Sequence, residues 1–157
     1  QKFYQLLNQG KTSTTQRLST ANNTPIVQDA EFWFEQGNQK AINGDFIGAI
    51  ASYDRALEIK PDYPEAWKRR GNALADLGRF EQAIASYDQA IKINPNYANA
   101  YYNKACCYGL QNNVELAIEN LQRAINLDVK YQDMAKTDKD FEQIRGDERF
   151  QSFLNRV

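Results

Sequence analysis

The sequence predicts an all-α solenoid of three stacked helix-turn-helix hairpins, finished by C-terminal capping helices. Three observations carry this. A 34-residue period runs through the middle of the 157-residue chain, the signature of stacked helical hairpins. Aligned at that spacing, Ala30 to Tyr63 and Pro64 to Tyr97 are identical at 17 of 34 positions, and Ala98 to Tyr131 keeps Tyr101, Ala105, Ala117, Ile118, Ala124 and Ile125 at the same offsets. Within each copy, small, aromatic and helix-stopping residues recur at fixed places, and one such hairpin cannot bury its apolar stripe without a neighbour.

In chain order, residues 1–29 come first and lie outside the repeat. Gln1 to Gln9 places Phe3, Leu6 and Leu7 at helical spacing, enough for one short amphipathic helix. Gly10 to Asp29 is rich in Ser, Thr, Asn and Gln and reads as a flexible linker. The short helix is expected either to be the frayed end of something upstream or to dock on the repeats, in cis or from a second copy. A chain that starts at Gln1 reads as part of a longer protein.

The repeats occupy 30–63, 64–97 and 98–131. In each, a first helix (about Ala30 to Asn43, Pro64 to Leu77, Ala98 to Gln111) meets a second (about Phe46 to Glu58, Phe80 to Lys92, Val114 to Asn126) across a tight turn. Gly44 and Gly78 supply the left-handed conformation that ends a helix. Gly37, Gly71 and Ala105 face Ala49, Ala83 and Ala117 and let the helix axes approach. Trp33, Trp67 and Tyr101 fill the space between hairpins, and Pro61 and Pro95 stop the second helices. In residues 132–157, Met134, Phe141, Ile144, Phe150, Phe153 and Leu154 continue the apolar pattern. Asp138 and Asp147 are placed as N-caps, with Gly146 as a stop between helices. This tail is expected to cover the open face of the last hairpin.

Trp33/Trp67, Gly37/Gly71, Ala49/Ala83, Tyr53/Tyr87, Ala56/Ala90 and Pro61/Pro95 fall in the register of the tetratricopeptide repeat (TPR) family, which the chain resembles over Ala30 to Tyr131. The tail DKDFEQIRGDERFQSFL is similar to the ending of many cyanobacterial TPR arrays. The resemblance implies a right-handed α-solenoid and a scaffolding role in protein interaction.

Composition narrows the function classes. With 19 basic and 20 acidic residues the formal charge is −1, without the positive excess of a nucleic-acid binder. No apolar run reaches the roughly 20 residues of a membrane helix, so no membrane insertion is expected. The chain has no histidine, which removes Ser-His-Asp and Cys-His catalysis and His-containing metal sites. No enzyme activity, catalytic residue, cofactor or metal is expected, and the carboxylates read as solvated helix faces. Gly10-Lys11-Thr12 lacks the upstream glycine and strand of a phosphate-binding loop. Asn22-Asn23-Thr24 reads as a chance match to a glycosylation acceptor. Cys106 and Cys107 are adjacent in a helix, where a mutual disulfide would distort the backbone. They read as free thiols, Cys107 as a buried filler and Cys106 as exposed toward the inner surface, in keeping with a reducing, cytoplasmic compartment.

The resemblance also locates the binding surface. First helices of TPR-like stacks line an inner groove through repeat positions 2, 5, 6, 9, 12 and 13. Position 5 runs Phe34, Lys68, Tyr102, an aromatic-cation-aromatic ladder. Asn38, Asn72 and Asn103 can serve a peptide backbone, beside Arg69 and Cys106. The expected ligand is a protein or peptide segment with an apolar or aromatic side chain near a carboxylate. The alternative is that these polar residues only solvate the face. A carboxylate clamp of the chaperone-binding type matches at Lys68, Asn72 and Asn103, but its other two places fall on Asp133 and Thr137, which bring no positive charge. Position 7, Gln36, Arg70 and Lys104, departs from the apolar consensus. Its long chains would lie on the stack and extend the basic patch Lys68-Arg69-Arg70, or pair with Glu31, Glu35 and Glu65. Self-association, with a homo-oligomer as its product, and an accessory domain of a larger enzyme are the other functional readings.

Overall fold

Capping residues and turn glycines divide the chain into helices of nearly constant length. The computed structural model describes residues 28–156; the short helix expected at Gln1 to Gln9 and nearly all of the linker lie outside them. The three hairpins are α1 (Ala30–Ile42) with α2 (Phe46–Ile59), α3 (Pro64–Asp76) with α4 (Phe80–Ile93), and α5 (Ala98–Leu110) with α6 (Val114–Leu127). They stack as a right-handed α-solenoid, each first helix packing on its own second helix and, in the second and third repeats, on the second helix of the preceding repeat. Among the described residues no helix is long and apolar enough to cross a membrane.

The helix ends follow from local chemistry. Gly44 and Gly78 have φ of 81° and 75°, and in the third repeat Asn112 takes the same role at φ 58°, the residue other than glycine that best tolerates this region. Asp45 and Asn113 then cap α2 and α6 by accepting from the amides of Gly48 and Leu116 at 2.8 and 3.2 Å. Arg79 at the equivalent place makes no side-chain cap. Asp29 caps α1 through the Phe32 amide at 2.9 Å.

Inside each hairpin the closest approach is between repeat positions 8 and 24. A Cβ on Gly37 would stand 2.5 Å from the Tyr53 ring, and one on Gly71 would stand 2.6 Å from Tyr87, so glycine is required there. In the third repeat both partners change together: Ala105 faces Leu121, and both are fully buried. Tyr53 and Tyr87 each donate a hydroxyl hydrogen bond to the asparagine one position on, Asn38 at 2.9 Å and Asn72 at 2.8 Å. With no tyrosine at 121, the third repeat carries Cys106 in place of that asparagine.

Position 7 staples repeats to one another. Arg70 reaches back to Asp54 at 2.6 Å and to the Ser86 hydroxyl at 2.7 Å, and Lys104 reaches Asp88 at 2.7 Å. Arg70 therefore belongs to an inter-repeat pair and leaves the expected basic patch. The position-4 aromatics are each covered by a guanidinium: Arg55 over Trp33, Arg70 over Trp67 and Arg123 over Tyr101, at 5.1, 5.9 and 5.5 Å.

After the third repeat come α7 (Lys130–Thr137), a 3-10 helix (Lys139–Ile144) and α8 (Glu148–Arg156). Asp138 caps the 3-10 helix through the Asp140 amide at 2.9 Å, and Asp147 accepts from the Arg149 amide at the start of α8. Arg145 binds the carbonyls of Ala135, Lys136 and Asp138, tying off the end of α7. Phe141, Ile144 and Phe150 join Leu121, Ala124 and Ile125 in one buried cluster, so the tail completes the core of the last hairpin.

Candidate functional site

The inner helices α1, α3 and α5 bring the expected site residues into one surface, but pack most of them more deeply than the sequence suggests. Each position-5 side chain lies on the tyrosine that ends its own repeat. Phe34 meets Tyr63 with ring centroids 4.9 Å apart, the Lys68 ammonium sits 5.4 Å from the Tyr97 ring, and Tyr102 stacks on Tyr131 at 4.7 Å. These three tyrosines were absent from the sequence-based site, although they recur at position 34 of every copy. The position-5 aromatics are accounted for by this contact: Phe34 is 8% exposed and Tyr102 only 3%.

The asparagines are likewise engaged within the fold. Asn38 and Asn72 serve the tyrosine hydroxyls described above, and Asn103 donates to Asn72 at 2.9 Å and to Asn99 at 3.2 Å. All three carboxamides are buried, where an unmet hydrogen bond would be costly. Their position-9 and position-6 placement is thus explained by intramolecular pairing first.

The charged centre of this face is Glu65. Lys68 at 2.9 Å, Arg69 at 3.1 Å and the Tyr97 hydroxyl all converge on its carboxylate. Burial pushes the Glu65 carboxyl up, but Lys68, Tyr97 and Arg69 together outweigh it and hold it below the usual carboxylate range. Burial also lowers Lys68, and Glu65 only partly restores it. One repeat earlier, Tyr63 is pushed up to about 12 by burial and by the surrounding Glu31, Glu35, Glu65 and Asp29.

The third repeat is closed by the tail. Tyr102 donates to Asp138 at 2.6 Å and meets Phe141 edge-on at 6.0 Å. Its hydroxyl is shifted up by burial, then by Cys106 and Asp138. Cys106 differs from the expectation of an exposed residue: it is fully buried, with its sulfur 4.0 Å from Asp138. The tail reaches this depth because position 12 is Gly109, where a Cβ would stand 2.7 Å from the Asp140 carbonyl oxygen. Cys107 is a buried filler, and burial with nearby Asp140 pushes its thiol up to about 12, so it is no thiolate at neutral pH. The carboxylates of Asp138 and Asp140 and the Cys106 sulfur lie within 4.8 Å of one another, giving this end of the inner face an acidic character.

Stacked two-helix repeats of 34 residues define a helical-repeat protein of the α-solenoid class. Tetratricopeptide repeat models match residues 64–97 and 86–119, and a TPR repeat model matches residues 37–78. The chain belongs to the tetratricopeptide repeat family. No curated protein matches it by sequence. Among solved structures, it is similar to the first TPR of Spaghetti (RPAP3) bound to the HSP90 peptide SRMEEVD, at 19% identity and TM-score 0.64, over 82% of this chain and 93% of that one. It is also similar to the TPR2B domain of yeast Sti1 in its pHsp70 complex, at 23% identity and TM-score 0.64, over 82% and 98% of the two chains. The MamA protein is 26% identical with TM-score 0.66, over 80% of this chain and 67% of MamA.

Proposed function

We infer that the chain is a protein-interaction module that binds an extended peptide segment of a partner protein along the inner face of its first two repeats. The observation that carries this is the convergence of Lys68 and Arg69 on Glu65 above Tyr97. It is a charge-assisted site whose internal carboxylate a ligand carboxylate can replace in kind. Asn72 and Asn103 lie buried beneath it, and Tyr63, half-buried over the Phe34 ring, provides apolar surface one repeat away. Tyr102 and Cys106 act behind the surface, holding the tail that closes the groove. Similar folds solved with peptides support the reading. Nothing in the arrangement calls for catalysis, and TPR repeats are typically interaction modules.

The test is binding to a peptide library with free and amidated C-termini. Lys68→Glu is expected to weaken groove binders at least tenfold without changing the helical content, because Lys68 contacts ligand while its stem stays on Tyr97. Dependence on a free terminus would favour the carboxylate-clamp reading. Binding unaffected by Lys68→Glu would move the site elsewhere, and a mass that rises with concentration in the absence of peptide would favour self-association.

A further inference from the structure

Position 13, at the C-terminal ends of the three inner helices, forms a row that the peptide reading does not use: Ile42, Asp76 and Leu110. Ile42 is 45% exposed, and Leu110 is half-buried. Between them, Asp76 lies near Asp140 of the tail, and burial, with a smaller contribution from Asp140, raises its carboxyl. Asp140 in turn adjoins Asp138. The row is therefore apolar at both ends and acidic in the middle.

The segment of this chain that precedes the described residues has the complementary chemistry. Residues 1–27 contain Lys2, Lys11 and Arg17 and no acidic residue, leaving 16 basic against 20 acidic side chains from residue 28 onward. Within Gln1 to Gln9, Lys2 is followed by Phe3, Tyr4, Leu6 and Leu7, a cation with apolar groups on its C-terminal side. The connecting residues 10–28 enter at Asp29, the N-cap of α1. From there to the row is about 20 Å along the helix axis and about 10 Å across to the next inner helix. A random coil of that length would have an r.m.s. span of about 24 Å, which matches. Tethering at matched span gives an effective concentration in the millimolar range, so a weak contact suffices.

We propose that residues 1–9 dock in cis along the row Ile42, Asp76 and Leu110, with Lys2 at the acidic centre beside Asp140 and Phe3, Leu6 and Leu7 on the flanking aliphatic side chains. This stands independently of the peptide-binding reading, which uses positions 2 to 9 of the inner helices.

The experiment places a nitroxide on the full chain through Gln5→Cys; Cys106 and Cys107 are buried and stay unlabelled. Amide line broadening is then read by NMR. The expected result is broadening centred on residues 41–43, 75–77, 110 and 140, unchanged on tenfold dilution and lost in Lys2→Glu/Phe3→Glu or at 1 M salt. Even or absent broadening would overturn the proposal. So would broadening that scales with concentration, which would mean a second copy is the occupant, or broadening centred on Trp33 and Ile59. Because no added peptide enters the readout, failure here leaves the groove test standing, and failure there leaves this one standing.

Discussion

The residue that most clearly exposes the logic of the fold is the glycine at repeat position 8. Gly71→Ala would gain about 1 kcal/mol of helix propensity. It would also drive a methyl into a ring 2.6 Å away, and overpacking a full core costs about 1–3 kcal/mol. Tyr87 is fully buried and held by Asn72, so it cannot yield cheaply, and chemical denaturation should show a net loss. The third repeat displays the compensated alternative, Ala105 with Cys106 and Leu121. Transplanting that set as Gly71→Ala/Asn72→Cys/Tyr87→Leu should recover much of the loss, giving a clear non-additivity in a mutant cycle. Glu65 gives a second prediction at this scale. Its folded pKa is depressed, so its stabilising contribution is complete above the usual carboxylate range and disappears as pH falls through the folded value. Denaturation midpoints should therefore fall on acidification in the native chain, and part of that slope should be missing in Glu65→Gln. Residue-level packing was only partly legible in the sequence. The small residues at position 8 announced close approach, but the burial of Phe34 and Tyr102 depends on tyrosines at position 34, whose ring placement follows from the inter-helix turn and not from any local pattern.

Among the elements, α4 stands out as the second helix without a side-chain cap. Asn113 at the equivalent place caps α6 although a residue with a Cβ, Leu116, supplies the amide. Arg79→Asn, with Gln82 supplying the amide, should reproduce that geometry and stabilise the chain by about 0.5–1 kcal/mol. A rise of a few degrees in thermal midpoint would verify it, and no change would mean the Arg79 backbone resists the cap. Helix boundaries read from sequence agree with the structure to within about a residue. The reason is that they rest on turn glycines and stop prolines that occur in more than one copy. The tail shows the opposite case. Its apolar residues and the caps at Asp138 and Asp147 were visible, yet Gly109, which admits the Asp140 carbonyl, reads in sequence only as a position-12 change from alanine. A segment present once has no second copy against which its path can be checked.

At the scale of the molecule, stability is distributed over nearest-neighbour contacts, and the C-terminal contact belongs to the tail. Phe150 is fully buried against Phe141, their ring centroids 5.4 Å apart. Phe150→Ala should cost about 3–5 kcal/mol, and the loss should be uneven. Hydrogen exchange would show α5 and α6 losing protection first, while α1 and α2 and the fluorescence of Trp33 and Trp67 change least. Uniform loss across all three repeats would instead show a single cooperative unit.

Gly109 and the tail that lies over it also constrain how such a chain can change in length. The surface on which another hairpin would stack is already filled by Phe141, Ile144 and Phe150, so nothing can be appended beyond Leu127 without first removing what seals it. Repeats one and two carry no tail-specific residues and are alike at half their positions, whereas the third has Tyr102, Cys106 and Gly109 fitted to its cover. Copying 64–97 in place would insert a hairpin whose two faces both find their usual neighbours. Copying 98–131 would leave Gly109 facing a helix instead of a carbonyl oxygen. Lengthening by duplication is therefore a property of the interior of this array and not of its end.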